Sequence, residues 1–138
     1  MADKITLRVV TPSQMLLDEE VDEVTAPGAL GEFGVLPNHI AFLTLLEPGE
    51  MSYKQGTTRN FLAVSGGYAE VLDNTMTVLA NSADYADEID VEHARRTAER
   101  AEKEMQQLNP DDKEFIAAAA ALRWAKVQML VANRELGD

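Results

Sequence analysis

The sequence contains no cysteine, which removes disulfides, thiolate metal sites and cysteine nucleophiles together. Its two histidines, His39 and His93, supply neither a histidine metal cluster nor a well-stocked Ser-His-Asp relay. Positive charge is scarce: 12 Lys and Arg stand against 24 Asp and Glu, a net charge of −12. A phosphate backbone would be repelled by that balance, so nucleic acid is excluded as the main partner. No uninterrupted apolar run approaches the roughly 18–20 residues of a bilayer span, so the chain reads as having no segment that crosses a membrane. Its start, Met1-Ala2-Asp3-Lys4, alternates at once and has no signal- or transit-peptide character. What is present is an ordinary globular balance, 46% hydrophobic and 26% charged over 138 residues, enough for one domain or a small domain with an appendage.

Glycine and proline are unevenly placed. Every glycine but Gly137 and every proline but Pro110 lies before residue 82. In that part the hydrophobic period is two: Ile5, Leu7 and Val9 alternate with polar neighbours, and Phe61–Val64 and Thr75–Leu79 are short β-prone runs. Turn clusters such as Thr11-Pro12-Ser13, Ala26-Pro27-Gly28, Glu47-Pro48-Gly49 and Leu72-Asp73-Asn74 separate them. Short strands at such spacing predict an all-β sandwich or barrel of roughly eight to ten strands.

After residue 82 alanine dominates and the period changes. Val91, Ala94, Ala98, Ala101, Met105 and Leu108 recur in steps of three and four, as do Phe115, Ala118, Leu122, Ala125, Met129, Ala132 and Leu136. Both are helix seams at the coiled-coil period, and Asn109-Pro110-Asp111-Asp112 breaks the chain between them and offers an N-cap. The expectation is an antiparallel α-helical hairpin over 83–138, with arms of about 28–35 Å, following a sandwich over 1–82. Alanine in the seam lets the backbones approach closely but buries little area, so the hairpin should be only marginally stable alone. The first arm's outer face is charged, with Glu92–Arg96, Arg95–Glu99, Glu99–Lys103 and Arg100–Glu104 at i,i+4 spacing. The second arm carries another apolar stripe, Ile116, Ala120, Trp124, Val127 and Val131. A two-arm hairpin buries one stripe, so this second one needs a dock on the β domain or on a partner.

Two uninterrupted stretches are more specific: Gly31-Glu32-Phe33-Gly34-Val35-Leu36-Pro37-Asn38-His39 and Ser65-Gly66-Gly67-Tyr68-Ala69-Glu70-Val71. The first helix opens Ile89-Asp90-Val91-Glu92-His93-Ala94. In this order, and with a β-then-hairpin layout over essentially the whole chain, they resemble the epsilon subunits of the F-type ATP synthase, whose patterns are G-E-x-G-[IV]-x-P-x-H, S-G-G-[FY]-x-E-V and [IL]-D-x-x-R-A.

The resemblance implies a non-catalytic rotor-stalk subunit that couples rotation of the c-ring, driven by proton flow, to ATP synthesis. It implies an all-β sandwich of about ten strands that binds the gamma subunit and rests on the c-ring, and a hairpin that can extend to the alpha and beta subunits of the catalytic head and inhibit ATP hydrolysis. Glu32 and His39 match the loop facing the c-ring. Arg95, Arg96, Trp124, Val127 and Val131 become candidates for hairpin docking or head contact. In some bacterial members the hairpin binds regulatory ATP, for which Ile89, Asp90, Ala94, Arg100 and Arg123 are the candidates here. The pattern's arginine is replaced by His93, and Val127 stands where a second arginine would follow Arg123. An always-charged fork exchanged for a mostly neutral imidazole weakens phosphate binding, and Asp90 has an alternative use as a helix cap. Gly66 and Gly67 answer turn geometry, since a phosphate cradle would need a following helix and lysine. The implied location is the cytoplasmic side of a bacterial plasma membrane, reached only through partners. The rival reading is a free-standing β-sandwich interaction module that self-associates through its hairpin. Enzyme activity is disfavoured, because no nucleophile, base and metal set clusters in the sequence.

Overall fold

The computed structural model describes the backbone of residues 3–137 and the side chains of residues 3–134. The chain divides after Tyr85 into two units. The first is a ten-strand sandwich: β1 (Ile5–Thr11), β2 (Gln14–Val21), β3 (Glu23–Gly28), β4 (Gly31–Val35), β5 (Phe42–Leu46), β6 (Gly49–Gln55), β7 (Thr58–Val64), β8 (Gly67–Leu72), β9 (Thr75–Ala80) and β10 (Ala83–Tyr85). One hydrogen-bonded path runs β10-β7-β6-β3-β5-β8-β9-β1-β2, with β4 paired to β3. Neighbours are antiparallel except β1 and β9. β3 and β5 share a single register pair, Gly28 with Leu46, so the sheet turns a corner there and folds into two layers. Gln55 Nε2 donates to the Glu20 carbonyl at 3.2 Å, linking β6 to β2.

Alternation fills the space between the layers. Ile5, Leu7 and Val9 of β1 are fully buried, as are Met76 and Val78 of β9 and Leu62 and Val64 of β7. Each such side chain contributes about 1.5–3 kcal/mol on burial. The sandwich ends three residues beyond residue 82, because Ala83–Tyr85 pair with Val64–Leu62. Gly67 is required where it stands: its φ is +139°, and a Cβ there would meet the Leu79 carbonyl oxygen at 1.9 Å. The S-G-G stretch is thus a tight entry into β8.

In the second unit a 3₁₀ turn (Ala86–Glu88) precedes α1 (Val91–Gln106) and α2 (Lys113–Gly137). Asp90 is the N-cap of α1, its carboxylate accepting the His93 amide N–H at 3.0 Å, which satisfies one of the unpaired donors of the first turn. At 1.5 Å per residue the arms are about 24 Å and 37 Å long, unequal where the spacing predicted similar lengths, because the Asp90 and Gln107 caps confine α1 to 16 residues while α2 runs for 25. The two helices pack as the seam predicts. Ala94, Ala98 and Ala125 are buried against one another, with Leu122 and Met129 at the margin. Leu136, the last residue of the expected seam, has its side chain outside the described residues.

By length and composition α2 is apolar enough to cross a membrane. No uninterrupted apolar run marks it in the sequence, because Arg123 and Lys126 break the stretch. Those two cations fall mid-helix, where each would cost about 2.5–3.5 kcal/mol at a bilayer centre. Five consecutive alanines, 117–121, supply much of the hydropathy, and the helix seam lies on α1.

Candidate interaction surfaces

The outer face of the β5-β8-β9-β1-β2 layer carries one row of apolar side chains running straight across the strands. Register pairs place Leu45 beside Tyr68, Tyr68 beside Leu79, Leu79 beside Val10, and Val10 beside Met15. Leu45, Tyr68, Leu79 and Met15 are each between 51% and 55% exposed. A bulge between Val9 and Val10 shifts the register so that Met15 faces Val10, which extends the row on to β2. A groove of about 340 Å³, bounded by Val10, Pro12, Tyr68 and Leu79, lies along it. The next outward-facing row is polar on four of its strands, Glu70, Thr77, Arg8 and Asp18, with exposed Leu43 at its β5 end, and Arg8 and Asp18 are ion-paired at 3.3 Å. An apolar stripe five strands wide beside a charged one is the form of a protein-binding surface.

The motif loop lies elsewhere on the sandwich. Glu32 is exposed on β4. His39 is half-buried where the motif suggested exposure, because its ring meets Phe42 edge-on at 5.8 Å. Phe42 in turn packs on Phe33 at 5.4 Å, the residue next to Glu32. An aromatic chain therefore connects the two motif residues, with Leu36 and Ile40 exposed in the same loop.

On the helical unit, Trp124 and Val127 are half-buried and Val131 is buried, while Ile116 and Leu130 stay exposed at 61% and 57%. Of the four i,i+4 pairs expected on α1, Arg95–Glu99 forms. Arg95 is also held by Glu92 at 2.8 Å, and that hydrogen bond, then the charges of Glu92 and Glu99, raise its pKa further. Arg100 reaches the Thr97 hydroxyl at 3.5 Å rather than Glu104. Arg96, Arg100 and Lys103 line a shallow cleft of about 360 Å³ with Glu99, Glu104 and Gln107. The five residues expected around a nucleotide are not gathered there: of them only Arg100 lines this cleft. The Asp90 carboxylate is engaged on the α1 N-terminus, and Ala94 is buried in the seam. Among the described residues no group of His, Asp and Glu is placed to hold a metal.

Residues 4–86 match the family described as ATP synthase, Delta/Epsilon chain, beta-sandwich domain, and residues 87–133 match its long alpha-helix domain. The ATP synthase epsilon chain of Geotalea daltonii is 49% identical over 97% of both chains, and that of Geobacter sulfurreducens is 48% identical over the same shares. The chain belongs to the ATP synthase epsilon chain family. A chain in the solved mitochondrial ATP synthase of Euglena gracilis (OSCP/F1/c-ring) aligns with a TM-score of 0.83 at 27% identity, over 97% of this chain and 83% of that one. One in the central stalk/c-ring of the Tetrahymena thermophila mitochondrial enzyme shares the fold, with a TM-score of 0.62 at 14% identity over 92% and 95%.

Within this epsilon-family chain, the apolar row escaped sequence reasoning. Its five members come from five strands and meet only through pairing register. The available signal was local: Tyr68 and Leu79 occupy outward positions of otherwise alternating strands, where a polar residue is expected.

Proposed function

We propose that this chain is a non-catalytic central-stalk subunit of a bacterial proton-translocating F-type ATP synthase, peripheral on the cytoplasmic side of the plasma membrane and attached only through its partners. The sandwich binds the gamma subunit through the Leu45–Tyr68–Leu79–Val10–Met15 row, and Glu32 and the His39 loop rest on the c-ring. The helical unit regulates. In an extended position it reaches the alpha and beta subunits of the catalytic head, where Arg96 and Arg100 offer positive charge that Arg95 spends on its own glutamates. Trp124, Val127 and Val131 form its docking stripe. The observation that carries this reading is the apolar row that runs unbroken across five strands of the sandwich, in a chain whose relatives are ATP synthase epsilon chains. A seam built of alanine suits an element with two docked positions, since these need differ by only a few kcal/mol.

Ile89, Asp90, Ala94, Arg100 and Arg123 form at most a weak nucleotide site, with Asp90 already capping α1 and His93 in the arginine position. The experiment is reconstitution of an ATP synthase lacking this subunit. The full chain should restore coupled synthesis and restrain ATP hydrolysis. A chain truncated after Asp87 should restore coupling while leaving hydrolysis several-fold higher. Equal hydrolysis with both chains would contradict the regulatory role.

A further inference from the structure

Asn38, which precedes His39 in its loop, is tied down by a residue 36 positions away. β8 and β9 are joined by the two-residue turn Asp73-Asn74, with φ of +50° and +57°, the type I′ geometry whose second position ordinarily favours glycine. Here that position keeps a side chain, and both ends of its amide are used outside the hairpin. The Oδ1 of Asn74 accepts the Asn38 amide N–H at 2.8 Å. Its Nδ2 donates to the Lys4 carbonyl at 2.8 Å. Its own carbonyl accepts the Thr6 amide N–H at 3.2 Å. The partners fix the amide's orientation, because a backbone N–H requires the oxygen and a backbone C=O the nitrogen. Asn38 is itself left-handed, with φ of +66°, so the loop turns sharply just before His39. The next backbone bond, His39 N–H to the Leu36 carbonyl at 3.1 Å, closes that turn.

We infer that Asn74 is the positioning residue of the His39 loop, fixing it to the start of β1 so that His39 and Ile40 are presented in one geometry. The inference rests on the proposed c-ring role of that loop for its functional meaning, but the clamp is testable without it. Glycine at position 74 preserves the turn and removes only the side-chain bonds. Aspartate tolerates the same backbone and keeps the acceptor for Asn38 while losing the donor to Lys4. In the full chain, Asn74→Gly should raise the hydrogen-exchange rate of the Asn38 amide about fivefold, the usual worth of one such bond, with the melting temperature little changed. Asn74→Asp should retain protection at Asn38. Unaltered Asn38 exchange in Asn74→Gly, or equal loss of protection in both variants, would overturn the clamp. In the reconstituted complex, Asn74→Gly and His39→Ala should both lower coupled proton pumping. Accelerated Asn38 exchange with full pumping in both variants would uphold the clamp and contradict the c-ring role of the loop.

Discussion

Asp22 stands between β2 and β3 and holds three segments together. Its carboxylate pairs with Lys4 ahead of β1 and accepts the Gly56 amide N–H at 2.6 Å from the β6–β7 turn. The Lys4 hydrogen bond, then the Gly56 bond, hold its pKa below the ordinary carboxylate value, with the charges of Lys4 and Lys54 adding to the effect. A carboxyl depressed in the folded state stabilises above its unfolded pKa and loses that contribution as pH falls through the folded one. The Asp22→Asn variant should therefore be less stable than wild type at neutral pH, and the difference should shrink as pH drops below about 4. Thermal melts from pH 7 to pH 2.5 check this. A pH-independent difference would assign Asp22 a purely steric role. Tyr53 behaves oppositely: burial, then the charge and hydrogen bond of Tyr85, raise its phenol pKa, so it stays neutral throughout that range. None of these side-chain partnerships was legible in the sequence, since Asp22 lies 34 positions from Gly56. The Asp90 cap was legible, because a cap acts within three residues of itself.

At the scale of elements, the period change near residue 82 carried most of the fold. Both strand alternation and helix seam are local patterns, and Ala94, Ala98 and Ala125 are buried where the seam places them. Lengths were less legible, because α1 ends at its caps while the apolar period continues through Leu108. Ala98→Leu should overpack the close helix–helix contact and destabilise the helical unit by about 1–3 kcal/mol. Thermal unfolding followed by helical circular dichroism, with exchange protection of β1 amides as the internal reference, reads this out. A variant with unchanged helical melting would show that the seam has room for a larger side chain. Lost β1 protection would show that the seam also supports the sandwich.

For the whole molecule, the missing cysteine and the excess acid excluded chemistries without naming a role, and the role emerges from surface. The motif loop with Glu32 and His39 was readable as a contiguous stretch. The row of Leu45, Tyr68, Leu79, Val10 and Met15 was not, because the five residues span 70 positions and become neighbours only through register, one of them through a bulge. A stripe of half-exposed apolar side chains beside a charged row is costly to leave in water and is stabilised when a partner covers it. The proposed stalk function depends on that partner being the gamma subunit. The measurement that tests it most directly is size-exclusion analysis of the full chain mixed with purified gamma, with wild type set beside a Tyr68→Glu, Leu79→Glu double variant. Both positions are half-exposed, so the variant should stay folded. Wild type should form a one-to-one complex, and the variant should associate at least about tenfold more weakly. Undiminished gamma binding by the double variant, or self-association of the wild-type chain with no affinity for gamma, would contradict it.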